Sequence, residues 1–309
     1  MTLSVEIHAS PADFDAAALT EAIARLDAIV AETSRIRLHV TSGFDDAVRW
    51  AVIDRTPGPG YTQERDFGFA VAKTITQEDG SIDVIVDAGI FSLTARPGDA
   101  ARTFEHEGLH IAIDERGESV AGLRRRRGSS PTAAAAIFAS MAGVSSEEYR
   151  VERVLWQGSP DVRADSHLAH FGSIARRTQE TICAASFRYE RDLDVPVIGR
   201  TVSDAFLALA TSTAYVAAEI DATGGARDVK VDAGIYARLL GPRWRDVIEE
   251  LRCLPPGDVA SVGTALDVQN DRVAACLEDW LEHIGFSWGD TSEGTLSFGV
   301  LNAAGWLTA

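Results

Sequence analysis

Apolar positions recur in two periods along this chain, and the switch between them outlines the fold. The first third alternates between strand and helix patterns. Leu3–His8 reads as a strand, and residues 11–32 as a helix with Phe14, Leu19, Ile23, Leu26 and Ile29–Val30 on its inner face. Residues 35–41 alternate, with Ile36, Leu38 and Val40 on one side, so a second strand is expected there. Asp45–Ile53 is expected as a helix, followed by a loop at Thr56–Gly60 that its two prolines stiffen. Phe67–Thr76 and Ser81–Ala88 flank the turn-forming cluster Glu78-Asp79-Gly80 and predict a hairpin. Residues 98–115 then read as a helix. Ala100 and Ala101 favour it, Phe104, Leu109, Ile111 and Ile113 give it an apolar side, Pro97 suits its first turn and Gly117 its C-terminal cap.

Beyond Gly117 the helical period takes over. Helices are expected at 131–142, 145–156, 161–189, 201–222, 231–239, 244–254 and 264–283. Short strands near 286–288 and 295–300 close the pattern. Arg124–Arg127, running into Gly128-Ser129-Ser130-Pro131, reads as a mobile surface loop. The expected class is α+β: a mixed sheet-and-helix lobe over 1–117 and a mainly helical lobe over 118–309. Neither an internal repeat nor a low-complexity tract interrupts this reading.

Composition narrows the partners. The chain has 309 residues, 46% of them hydrophobic, enough for a substantial core in one large unit or two lobes around a cleft. A net charge of -17 disfavours nucleic acid and anionic membrane as partners, since both would be repelled. No basic start leads into an apolar run, and no apolar stretch approaches the length of a membrane span. Cys183, Cys253 and Cys276 are widely spaced and suit reduced thiols, so a cytoplasmic protein is expected.

The chemistry concentrates in His106-Glu107-Gly108-Leu109-His110. Histidines four apart project from one helical face, close enough for both imidazoles to reach one Zn2+ ion. A glutamate directly after the first is placed to take a proton from a metal-activated water. Two histidines and a water leave one protein ligand to find. Glu148, Val151, Glu152 and Leu155 form a stripe on a later helix whose N-cap is expected at Ser145 or Ser146. Carboxylates sharing a stripe with apolar residues need a positive partner if buried, and a metal with its imidazoles would be one. Glu148 is therefore the expected third ligand and Glu152 a carboxylate accepting a ring N–H from a liganding histidine. Glu147 is the alternative ligand if the helix is rotated, and His167 or His170 could complete the shell instead. The opposing interpretation makes Glu148 and Glu152 a solvated face paired with Arg150 and Arg153. Asp114 continues the histidine stripe one turn on, where it would orient a ligand or sit as a polar residue near the helix end.

His106-Glu107-x-x-His110, Asp114, and Glu148-x-x-x-Glu152 together resemble the gluzincin branch of the zincin metallopeptidases, whose familiar member is thermolysin. The resemblance spans about residues 60–157. It implies a zincin-like fold with the active site between the lobes, His106, His110 and Glu148 as ligands of Zn2+, Glu152 outside them, and Glu107 as catalytic base. The implied activity is hydrolysis of a peptide or protein substrate. One hairpin strand, Phe69-Val71-Lys73 or Ile82-Val84-Val86, would then be an exposed edge to which an extended substrate adds. For the oxyanion, Tyr149, Arg153, His167, His170 and Tyr189 are all chemically able donors. Two other functions fit the same residues: a zinc hydrolase of non-peptide amides or esters, and an inactive binding or regulatory module. Oligomeric state leaves no trace in the sequence.

Overall fold

The structure is a computed structural model that describes residues 3–8, 12–52, 64–65, 68–69, 71–128, 132–158, 166–223, 229–262, 264–302 and 304–307. The loop expected at Thr56–Gly60 and the starts expected for helices at Pro11, Pro131 and Asp161 lie outside the described residues, as do Phe67 and Ser129–Ser130. The chain is α+β and divides into two compact units, Met1–Glu115 and Arg116–Ala309.

The first unit is built on a four-stranded sheet. Its elements in chain order are β1 (Ser4–His8), α1 (Ala16–Ile29), β2 (Ile36–Thr41), α2 (Phe44–Val52), a two-residue ladder of β3 (Glu64–Arg65) and β4 (Gly68–Phe69), β5 (Ala72–Thr76), β6 (Ile82–Asp87) and α3 (Asp99–Glu115). The sheet order is β1-β2-β6-β5. β1, β2 and β6 run parallel, and β5 pairs antiparallel to β6. The turn between them uses Gly80 at φ 81, where a residue without Cβ is unstrained.

That order decides which hairpin strand is the edge. Ile82-Val84-Val86 belongs to β6, which is flanked on both sides and buried over Ile82–Val86, so it cannot be the open strand. Among the described residues the open edge next to it is β5. Alternation alone could not make the choice, because both strands alternate and their neighbours come from elsewhere in the chain.

Leu38, Val40, Val84 and Val86 on one sheet face meet α1 and α3, and Leu26, Phe104 and Ile111 fill the space between. Asp15 caps α1 by accepting from the backbone N–H groups of Ala17 and Ala18. At Gly108, α3 packs closely on α1. A Cβ there would lie 3.1 Å from Leu26 Cδ1 and 3.5 Å from Ile29 Cβ. Gly108→Val is therefore expected to destabilise this unit by about 1–3 kcal/mol through overpacking. Urea unfolding followed by circular dichroism measures it. An unchanged midpoint would mean that α1 and α3 are not in close contact at this position.

The second unit contains α4 (Val120–Arg127), α5 (Ala133–Gly158), α6 (His167–Asp192), α7 (Val195–Ala222), the short α8 (Ala233–Ile235) running into a wider turn at Tyr236–Leu240, α9 (Arg243–Arg252), α10 (Ala265–His283), the hairpin β7 (Phe286–Asp290) and β8 (Leu296–Val300), and α11 (Ala304–Leu307). Phe138, Trp156, Phe171, Phe206 and Trp280 anchor its core. None of the described helices is long and apolar enough to cross a membrane.

Three local expectations are corrected here. The arginine run is helix rather than loop: Ser119 caps α4 by accepting from Gly122 N–H, and Gly128 ends it at φ 68. Arginine is a good helix former, so two caps suffice to order the run. α7 begins at Val195 rather than Thr201, because Asp194 caps it and Pro196 fits the first turn, where a missing N–H costs little. Ser145 and Ser146 cap nothing. α5 passes through them without a break and buries both, and the Ser146 hydroxyl donates to Asn270 Oδ1 at 3.2 Å.

Candidate metal centre

α3 sets two imidazoles against each other. Its buried face carries Phe104, Glu107, Gly108, Leu109, Ile111 and Ile113, which pins the rotation of the helix and leaves His106 and His110 half-buried together at one side. Their Nε2 atoms are 3.1 Å apart, and the rings meet edge to face at 4.7 Å between centroids. Two ligands of a tetrahedral zinc with bonds of about 2.0–2.1 Å stand roughly 3.3 Å from each other. The pair is thus already at ligand spacing, with one turn of helix supplying both members.

Glu107 is buried at 9% exposure and points toward the sheet. Thr74, on the edge strand β5, donates its hydroxyl to Glu107 Oε2 at 2.5 Å. One carboxylate oxygen is therefore held by the edge strand of the sheet. Glu105, on another side of the helix, is taken up by Arg25 of α1 at 3.1 Å. Asp114 is half-buried one turn beyond His110.

In the second unit, α5 arranges its acidic residues in different directions. Glu147 Oε2 accepts from the backbone N–H of Val120 at 3.0 Å, at the positive N-terminal end of α4. Glu148 Oε2 accepts from the Tyr215 hydroxyl at 3.0 Å. Glu152, only 4% exposed, has His167 Nε2 at 3.5 Å, and the His167 ring stacks on Tyr215 at 4.8 Å. Val151 and Leu155 are buried on the same stripe. The structure thus brings Glu148, Glu152, His167 and Tyr215 into one polar cluster within this unit.

The arginines proposed as partners of Glu148 and Glu152 do other work. Arg150 is 1% exposed and bonds Glu118 Oε2 at 2.7 Å, while Arg153 donates to the Leu254 carbonyl at 2.9 Å. The Tyr149 hydroxyl donates to Asp221, and burial together with that carboxylate pushes its ionisation well above the usual tyrosine range. Tyr189 packs half-buried against the core, and His170 is exposed on α6. Of the five oxyanion donors expected from sequence, His167 stands beside Glu152.

Comparison with family models, with curated proteins and with solved structures returns no match for this chain. Its chemistry rests on its own residues. Tyr215 and Thr74 are the two contributors that sequence reasoning missed. Tyr215 had a faint signal, a lone hydroxyl-bearing ring inside the apolar run of α7, but nothing in spacing ties it to Glu148.

Proposed function

We propose that this chain is a zinc-dependent peptidase in which His106, His110 and Glu148 hold the metal and Glu107 is the general base. The zincin-like arrangement that the sequence resembles belongs to this reading. The observation that carries it is the convergence of His106 and His110 Nε2 at 3.1 Å beside a buried carboxylate one residue away. The donor set fits zinc: two imidazoles and a carboxylate would be the three protein ligands of a catalytic zinc site. Zinc, when bound, supplies Lewis acidity, polarising a carbonyl and making water acidic enough to react near neutral pH.

The protein's own residues do the rest. Glu107 accepts the proton of the attacking water and returns it to the departing amine. Thr74 fixes one oxygen of Glu107, which limits the carboxylate to a single working orientation. The open backbone of β5 binds the substrate as an added strand, with main-chain hydrogen bonds aligning it beside α3. Tyr215 orients Glu148 by donating to it, and Glu152 serves as the outer carboxylate.

Elemental analysis of the purified protein, paired with a peptide-library digest, tests this. Zinc is expected to co-purify, chelation to stop cleavage, and added zinc to restore it. The double variant His106→Ala/His110→Ala should lose zinc from that site together with all hydrolysis. A chain whose zinc content is untouched by that double variant would overturn the assignment. Zinc retained with ester or non-peptide amide cleavage, and peptides left intact, would replace peptidase by another hydrolase.

A further inference from the structure

Within the first unit, the sheet face away from α1 and α3 carries a second convergence of metal-ligating groups. Glu6 and His8 are two apart on β1, so they share a face, and the parallel register sets Glu6 beside His39 of β2. α2 covers part of this face, where Phe44 and Val48 pack on Ile85. Glu6 Oε2 lies 3.2 Å from His8 Nε2 and 3.4 Å from His39 Nδ1. One ligand atom from each of the three residues lies within 4.8 Å of the others. Two of these separations match the roughly 3.3 Å edge of a tetrahedral zinc shell.

The support behind His39 is what distinguishes the cluster from a surface ion pair. His39 is 9% exposed, and its Nε2 faces Asp83 Oδ1 at 3.1 Å. Asp83 is 2% exposed and also accepts from Arg37 at 2.7 and 3.1 Å and from Gln77 at 2.5 Å. Asp83 thus holds the Nε2 side of the ring, and Nδ1 on its other side faces the Glu6 carboxylate. A carboxylate that fixes the tautomer of a liganding imidazole is the usual outer support of a histidine metal site.

We infer that Glu6, His8 and His39 form a second divalent transition-metal site, separate from His106 and His110 and suited to zinc. Three protein ligands leave a position open, and beside them lies a cavity of about 330 Å³ walled by Ala47, Trp50, Ala51 and Ile85. Glu6 and His8 are about half exposed, so the metal exchanges with solvent and the site responds to its free concentration. This inference does not depend on the peptidase reading.

The test is a titration with Zn2+ and with Co2+ in the His106→Ala/His110→Ala background, which removes the first pair of imidazoles. One equivalent of Zn2+ is expected to bind there, and Co2+ to give the visible absorption of a tetrahedral N,N,O site. Adding His8→Ala with Glu6→Gln should abolish both signals. These side chains are exposed, so the circular dichroism and melting midpoint should not move. Co2+ should also quench Trp50, so part of its fluorescence response disappears in Trp50→Phe. No retained equivalent, or one indifferent to His8→Ala/Glu6→Gln, would overturn the inference and leave a proton where the metal was expected. Failure of the peptidase reading looks different: the parent chain would then lose nothing on His106→Ala/His110→Ala while the second equivalent persists.

Discussion

Glu107→Gln is expected to keep its zinc and to hydrolyse peptides about 10³-fold more slowly, the usual order for removing a general base. The amide is nearly isosteric, and its carbonyl oxygen can still accept the Thr74 hydroxyl that holds the acid at 2.5 Å. The fold should therefore be unchanged. What vanishes is the capacity to take a proton, and a factor of 10³ in rate corresponds to about 4 kcal/mol of barrier. Single-turnover cleavage and metal content, measured on the same preparation, separate chemistry from binding. A variant with full zinc and a rate within a few fold of the parent would remove Glu107 from the reaction. A variant that lost zinc as well would make the carboxylate structural.

The part of this site that the sequence announces is the part that one helix encodes. His106, Glu107 and His110 lie within a single turn, and the apolar residues of α3 fix which way that turn faces. Helical spacing also finds the stripe of Glu148 and Glu152. It cannot choose between Glu147 and Glu148, because adjacent residues differ by about 100° around the axis and only packing sets the zero of that angle. The structure gives the two different partners: Val120 N–H donates to Glu147 and the Tyr215 hydroxyl to Glu148, the latter from 67 residues away. Thr74 reaches Glu107 across 33 residues for the same reason.

Errors in the fold have a similar origin. Ser145-Ser146 has the composition of a cap, yet in α5 it supplies small side chains where helices pack closely. Gly143 does likewise, since a Cβ there would meet Val120 at 3.2 Å. The arginine run was read from its charge, whereas its two caps decided its form. Local composition thus fixed helix and strand types well, and failed where a small polar residue served packing instead of termination.

The second large effect is expected at Arg150. This side chain lies inside the helical unit at 1% exposure and donates to three acceptors. Its Nη2 donates to Glu118 Oε2 at 2.7 Å and to the Val259 carbonyl at 3.2 Å, and its Nε donates to the Pro255 carbonyl at 3.1 Å. Its own backbone carbonyl accepts from Gly257 N–H at 2.9 Å, so α5 and the segment 255–259 are tied at one residue. Glu118 is 7% exposed and is further held by Ser261 N–H at 2.6 Å and Arg116 at 3.3 Å. Arg150→Ala strands that carboxylate in the interior. The expected loss is about 3–5 kcal/mol, the usual range for breaking a buried pair from one side.

The same group gives the unit a defined response to acid. Burial alone would raise the Glu118 carboxyl, but the Arg150 hydrogen bond, Ser261 N–H and the charges of Arg150 and Arg116 together hold it below its ordinary value of 4.5. A carboxylate whose value is depressed by folding stabilises the folded form fully above its unfolded value, and that contribution is lost as pH falls through the folded one. Stability should therefore decline on the acid side of 4.5, and Glu118→Gln should flatten that decline while lowering stability near neutrality. Urea unfolding of the parent, Arg150→Ala and Glu118→Gln between neutral and acidic pH would show it. If Arg150→Ala lost under about 1 kcal/mol, the guanidinium would be one more surface cation, and the buried pair would not be holding α5 to the 255–261 segment.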